Sequence, residues 1–144
     1  MALVVIDYIQ LVAPESRRGV SRQEQVAEIS RRLCWMAKSV GCPVLCLAQL
    51  NRESETATDK RPSLRNLRES GAIEQDAHAV MFIHRPGYYK DDNRDGSAAQ
   101  IIVAKNRSGP TRTAKLLWFP SRQRFEDAAP GHLESEAPAN GEEF

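Results

Sequence analysis

"LVVIDYIQLV", residues 3–12, runs four apolar residues straight into an acid, Asp7. A short apolar run rich in Val and Ile predicts a fully buried strand over 3–8. Downstream, Ser21 and Glu24 form an S-x-x-E capping box. Behind it Val26, Ile29, Leu33, Met36 and Val40 recur at spacings of three and four. That is one apolar face of a helix of about 18 residues, which Gly41 is placed to end. "PVLCLA", residues 43–48, predicts a second buried strand. Strand, helix, strand over this length is a βαβ unit, with parallel strands and a right-handed crossover. The fold class is therefore α/β.

The rest of the chain is read from this unit outward. Residues 13–20, "APESRRGV", form a basic loop, and residues 51–63 a polar one. Residues 63–70 predict a short helix, broken by Gly71, with another turn in "AIEQDA". "AVMFIH", residues 79–84, is a third buried strand, followed by the turn-rich loop 85–96. "AQIIVAK", 99–105, and "AKLLWF", 114–119, flank the turn "NRSGPT" as a C-terminal β-hairpin, and 122–126 can add an edge strand. From Asp127 onward Ala, Pro, Gly and Glu dominate, which predicts disorder. The expected organisation is one domain over 1–126 and an acidic tail over 127–144.

The 144 residues suffice for one domain with a real core. There is no apolar run of membrane-spanning length and no signal-peptide pattern, so no membrane partner and a cytoplasmic location are expected. Cys34, Cys42 and Cys46 are odd in number, lack zinc-type pairing and sit in or beside apolar segments, so they read as buried reduced thiols. The net charge of +1 hides an asymmetry. Residues 1–125 carry all 20 Lys and Arg and 13 of the 19 acids, a body of +7; residues 126–144 hold the other six acids and no base, a charge of −6. Fifteen of the 20 bases are Arg, whose planar fork suits phosphate. Such a body is compatible with a polyanionic partner, and equally with ordinary solvated surface charge.

Four groups of residues can carry chemistry. Ligands of open parallel sheets bind beyond the carboxyl ends of the strands, where Asp7 sits. A carboxylate there can hold Mg²⁺ directly or through water, and the metal can neutralise nucleotide phosphates. Gln49, just past the second strand in "LAQLNRE", is expected beside Asp7 at the same sheet edge, where a neutral amide can bond a terminal phosphate or its attacking water. In "LRESGAIEQDAHAVMFIHR", 67–85, Arg68 and the amides near Gly71 can bind phosphate. In "AKNRSGP", 104–110, Lys105 and Arg107 are two apart on an extended segment and point the same way, so they can meet one phosphate. Taken singly, each of these is matched by a plain alternative: a polar strand end for the first two, a solvated basic loop for the others.

Together, in order and spacing, "LVVIDYIQLV", "EISRRLCWMAKSVGCPVLCLAQLNRE", "KRPSLRNLRESGAIEQDAHAVMFIHRPGYY" and "AQIIVAKNRSGPTRTAKLLWF" resemble the C-terminal half of DnaB-type replicative DNA helicases. These are hexameric motors with a RecA-like core that unwind duplex DNA while moving along a single strand. The resemblance spans nearly all of 3–126, and "LRESGxIEQDA" and "AKxRxGP" are highly specific for the family. It implies a partial RecA-like P-loop NTPase core with a mainly parallel sheet and flanking helices. It also implies ATP and Mg²⁺ as cofactors of the complete enzyme, and single-stranded DNA and other helicase subunits as partners. By the same resemblance Asp7 is the Walker B acid on Mg²⁺ and Gln49 the γ-phosphate sensor. Arg68, Glu69 and Gly71 lie on the DNA-tracking loop. Lys105 and Arg107 reach the neighbouring subunit's ATP, with Arg107 as arginine finger, a device worth ~10³–10⁵ in rate.

Such a motor needs a phosphate-binding loop, G-x-x-x-x-G-K-[ST], ahead of the Walker B strand. Asp7 leaves no room for it upstream, and no Gly-Lys-Ser/Thr occurs downstream. The chain is thus expected to be a fragment, inactive alone; a truncated gene, a split gene and a cloned piece all fit. The alternative is a non-catalytic remnant that binds single-stranded DNA or helicase subunits. In the RecA-like order the phosphate-loop strand lies between the second and third strands here. Its absence predicts a gap in the sheet or direct pairing of the two, with exposed edges and apolar faces.

Overall fold

The computed structural model describes residues 2–12, 19–51, 60–90, 92 and 94–128, the side chains of 68–70 excepted. Most of the basic loop (13–18), most of the polar loop (52–59) and the tail beyond 128 lie outside the described residues. The described elements are β1 (Val4–Ile6), α1 (Arg22–Val40), β2 (Val44–Cys46), α2 (Gly71–Asp76), β3 (Ala79–His84), β4 (Ser97–Asn106), β5 (Arg112–Phe119) and β6 (Arg124–Asp127). Short 3-10 turns lie at Ile9–Leu11, Leu64–Ser70, Pro86–Lys90 and Pro120–Arg122.

The βαβ unit forms as expected. The Ser21 hydroxyl accepts from Glu24 N while Ser21 N donates to the Glu24 carboxylate at 2.8 Å, closing the capping box. These bonds hold the Glu24 carboxyl below its usual pKa. Gly41 ends α1 at φ +63°, a left-handed conformation that Gly adopts without strain. β1 and β2 are parallel, with Val4, Val5 and Ile6 opposite Val44, Leu45 and Cys46. Val26 and Ile29 are buried, with Leu33 packed against them, but Val40 is 67% exposed. The apolar stripe is covered only along the first half of the helix, because β1 and β2 are three residues each and offer little to pack against.

The described strands make two sheets, β1–β2 and β3–β4–β5–β6, and β2 does not pair with β3. Of the two outcomes expected for the sheet's middle, the gap is the one observed. The parallel component is confined to β1–β2, and every pairing in the larger sheet is antiparallel. That balance is less parallel than the resemblance implies. It follows from short connections such as 107–111, which can join only antiparallel neighbours. The third strand falls on residues 79–84 as expected, and the hairpin strands are longer than expected.

Two apolar clusters hold the chain together. Ile9, Val26 and Ile29 form one, with Cys46 and Ala48 packed on it; Leu67, Val80 and Phe82 form the other, with Ala48 and Leu50 packed on it. Ala48 touches both clusters and so bridges the two sheets. Ser30 Oγ donates to Asp76 at 2.7 Å, tying α1 to α2. The three cysteines are free and only half-buried, and burial pushes the Cys46 thiol up.

Candidate nucleotide and DNA site

Asp7 is the first residue after β1, and Gln49 lies three residues past β2, so both leave the same end of the parallel pair. The ladder continues beyond the strands: Leu47 N donates to Ile6 O and Ile9 N to Leu47 O, each at 2.9 Å. Gln10, which no sequence motif singles out, then fixes Gln49. Its Nε2 donates to Gln49 O at 3.2 Å and its Oε1 accepts from Gln49 N at 3.3 Å. The side-chain amide thus stands in for one more rung of the ladder. Arg22 donates to Gln10 O and anchors this clamp to the start of α1. The one available signal was the amide three residues beyond Asp7 in "DYIQ".

Asp7 is exposed, and no group of three His, Cys, Asp or Glu that could hold a metal occurs among the described residues. Mg²⁺ keeps several waters and is commonly held by one or two carboxylates plus substrate phosphates. Asp7 fits as one oxygen ligand of such an ion. The remaining protein groups of a Mg-ATP site are not supplied by the described residues, so these residues alone do not make that site.

Lys105 and Arg107 do point together, as their spacing requires, and their partners are backbone carbonyls. Lys105 Nζ donates to Glu74 O and, at 3.1 Å, to Gln75 O; Arg107 also donates to Gln75 O. Both cations therefore sit on the C-terminal end of α2, where unpaired carbonyls and the helix dipole favour positive charge. Arg107 N donates to His78 O at 2.9 Å, fixing the chain where it leaves β4.

The stretch carrying Arg68, Glu69 and Gly71 is continuous. The 3-10 turn Leu64–Ser70 opens where Ser63 N donates to Asn66 Oδ1 at 2.7 Å, and it runs directly into α2. Gly71 does not break the helix as expected: its φ of −51° and ψ of −26° are right-handed helical. It marks the change from 3-10 to α geometry, and a Cβ there would meet nothing within 4 Å. The backbone carrying Arg68 and Glu69 is placed; their side chains lie outside the described residues.

A further feature was not read from the sequence. An open cleft of about 630 Å³ is lined by Arg85, Gly87, Tyr88, Trp118, Gln123 and Phe125, among others. The Arg85 guanidinium lies 4.6 Å from the Trp118 ring centroid, and Phe125 packs on Trp118 at 4.6 Å between centroids. Trp118 Nε1 is buried without a hydrogen-bond partner among the described residues. Gly87 is required beside the cleft, since a Cβ there would come within 2.8 Å of Asp92 O.

The family model described as DnaB-like helicase C terminal domain matches residues 1–127. The chain belongs to this DnaB-like family. It is 47% identical over 130 residues to the replicative DNA helicase DnaB of Leifsonia xyli subsp. xyli, covering 90% of this chain and 28% of that protein. It is 42% identical over 125 residues to the replicative DNA helicase DnaB of Geobacillus stearothermophilus, covering 87% and 28%. Among solved structures, an isolated helicase ATPase domain superposes with a TM-score of 0.80 at 38% identity, covering 88% of this chain and 44% of that one. A DnaB-like replicative helicase studied with its primase interactions gives 0.81 at 38%, covering 88% and 30%. This DnaB-like chain thus spans under a third of the length of these two helicase relatives. The neighbours also establish its fold as part of a RecA-like helicase ATPase domain.

Proposed function

We propose that this chain is the portion of a cytoplasmic DnaB-type helicase ATPase that carries the Walker B acid, the phosphate sensor, the DNA-tracking loop and the trans-acting cations. On this reading it does not hydrolyse ATP by itself. The observation that carries the reading is the pairing of strand ends: Asp7 and Gln49 leave the same end of β1 and β2, and Gln10 fixes the Gln49 backbone there. In the complete enzyme Asp7 would be one oxygen ligand of Mg²⁺, and the metal would neutralise the phosphates of ATP. Gln49 answers to the terminal phosphate. Arg68, Glu69 and Gly71 follow single-stranded DNA, with the 1–126 domain as the folded unit and the acidic tail outside it. Lys105 and Arg107 exchange the α2 carbonyls for phosphate oxygens of an adjacent subunit, a stronger, charge-assisted partnership.

The Arg85–Trp118–Phe125 stack is suited to a planar ring, and a nucleobase is the ring this site calls for. A base stacked on an aromatic contributes about 1–3 kcal/mol.

The test mixes this chain with intact helicase subunits of the Leifsonia relative whose finger arginine is replaced, plus single-stranded DNA. Restored ATP turnover that disappears with Arg107→Ala supports the reading. Co-assembly without any restored turnover refutes the trans role and leaves a passive remnant.

A further inference from the structure

We propose that the acidic tail of this chain docks on the first half of β5. Glu134 and Glu136 sit against Arg112, with Lys115 and Arg61 beside it, and close these cations to phosphate from outside.

The register of β6 aims the tail at this place. Leu116 stands opposite Asp127 and Phe119 opposite Arg124, so the chain leaves β6 toward the beginning of β5. There β6 no longer covers β5. Residues 112–115 are exposed while 116–119 are half-buried, and among the described residues the edge of 112–115 away from β4 is unpaired. Continued in register, residues 128 and 129 lie along 115 and 114. Pro130 has no N–H to donate and ends such a ladder, and Gly131 lets the chain turn. Seven residues separate Asp127 from Glu134, an extended reach of about 23 Å, while the four residues from Leu116 back to Arg112 span about 13 Å. Glu134 and Glu136 therefore reach Arg112 with chain to spare.

Charge selects the same place. Residues 126–144 hold six acids and no base. Glu126 is already paired, with Arg124 at 3.3 Å and Arg122 at 3.9 Å, so the two cations nearest the tail are taken. Arg112 and Lys115 make no side-chain hydrogen bond or ion pair among the described residues. Arg61 donates to Thr113 Oγ1 at 3.1 Å and adds a third cation to the same stretch. Arg61 also lies two residues before Ser63, where the turn Leu64–Ser70 opens. The docked carboxylates thus stand beside the stretch read above as DNA-tracking and compete there with DNA phosphates. That consequence rests on the DNA reading; the docking itself does not.

The experiment records nitrogen-15 NMR spectra of the full 144-residue chain and of its charge variants at low salt. Glu134→Gln with Glu136→Gln shifts the amides of 112–115 and of Arg61. Glu142→Gln with Glu143→Gln, the same loss of charge further along the tail, leaves them in place. In an Arg112→Gln chain the response to the first pair falls by about half or more, the mark of a shared contact. Arg112 is exposed, so its replacement leaves the circular dichroism unchanged. The first pair also raises the affinity for oligothymidylate about threefold or more, as expected from losing two exposed ion pairs, and the gain is erased near 1 M salt. The proposal is overturned if 112–115 do not respond, or if both pairs of substitutions act alike. It is equally overturned if the response centres on the α1 cations Arg31 and Lys38, or fades on dilution as a contact between chains. Amides of 112–115 that respond without any gain in DNA affinity support the docked tail and count against the DNA reading of the neighbouring turn.

Discussion

Lys105→Met removes a cation while keeping most of the length and apolar stem of the side chain. In the native chain the ammonium serves two carbonyls at the end of α2, Glu74 O in a part-buried setting and Gln75 O in an exposed one. Hydrogen bonds to charged groups are worth about 1.5–3 kcal/mol when well sheltered, and a cation at a helix C-terminus adds about 0.3–1. Discounting the exposed bond for solvent leaves an expected loss of about 1.5–2 kcal/mol. With a urea dependence of about 1–3 kcal/mol per molar, the unfolding midpoint should fall by about 0.5–2 M. Arg107 shares the acceptor Gln75 O with Lys105. After either single substitution the remaining cation keeps that carbonyl satisfied. The double variant should therefore lose more than the sum of the singles, the signature of a shared partner. Urea titration of the four proteins by circular dichroism measures this. An unchanged midpoint for Lys105→Met, or strict additivity, would refute the placement of these cations on α2.

Gly41→Ala, at φ +63°, should cost about 1 kcal/mol because the left-handed conformation is strained for Ala, again read by urea titration. Glu24 and Asp95 have carboxyls held below their ordinary pKa by hydrogen bonds from Ser21 and Ser121 respectively. Their contributions are therefore present at neutral pH and lost as pH falls through the lowered folded-state values. Thermal melts at pH 7 and pH 3 should show that loss shrink in the Glu24→Gln variant. Arg85→Ala, which keeps the Trp118 reporter, should weaken quenching of the chain's fluorescence by adenine nucleotides, and undiminished quenching would remove the base platform from the account. Binding to single-stranded DNA should fall steeply with salt, and Arg68→Ala should weaken it for all sequences alike; a titration in which Arg68→Ala changes nothing would move the DNA contact elsewhere.

What was legible in the sequence was local or periodic. The capping box at Ser21 and Glu24, the stop at Gly41 and the strand at 79–84 are each specified within a few residues and formed where expected, but that strand is buried only at alternate residues, Val80 and Phe82, and not throughout as expected. The break between β2 and β3 was legible only as one of two outcomes, a gap or direct pairing, and the gap formed because the two edges are already placed by other contacts. Gly71 misled because glycine is permissive in either direction, and here nothing forces it out of the helical region. The site's supports were illegible because they are long-range. Gln10 meets Gln49 across 39 positions, and Lys105 meets Gln75 across 30. Arg85, just past β3, meets Trp118 of β5 across a sheet whose register no local pattern encodes.

The central claim is that these residues are part of a DnaB-like ATPase and not a self-sufficient one. It is tested most directly by the ATP hydrolysis of the purified 144-residue chain with Mg²⁺ and single-stranded DNA. The account predicts turnover no greater than buffer, identical in the chain and in Asp7→Ala. DNA-stimulated turnover that Asp7→Ala abolishes would contradict it.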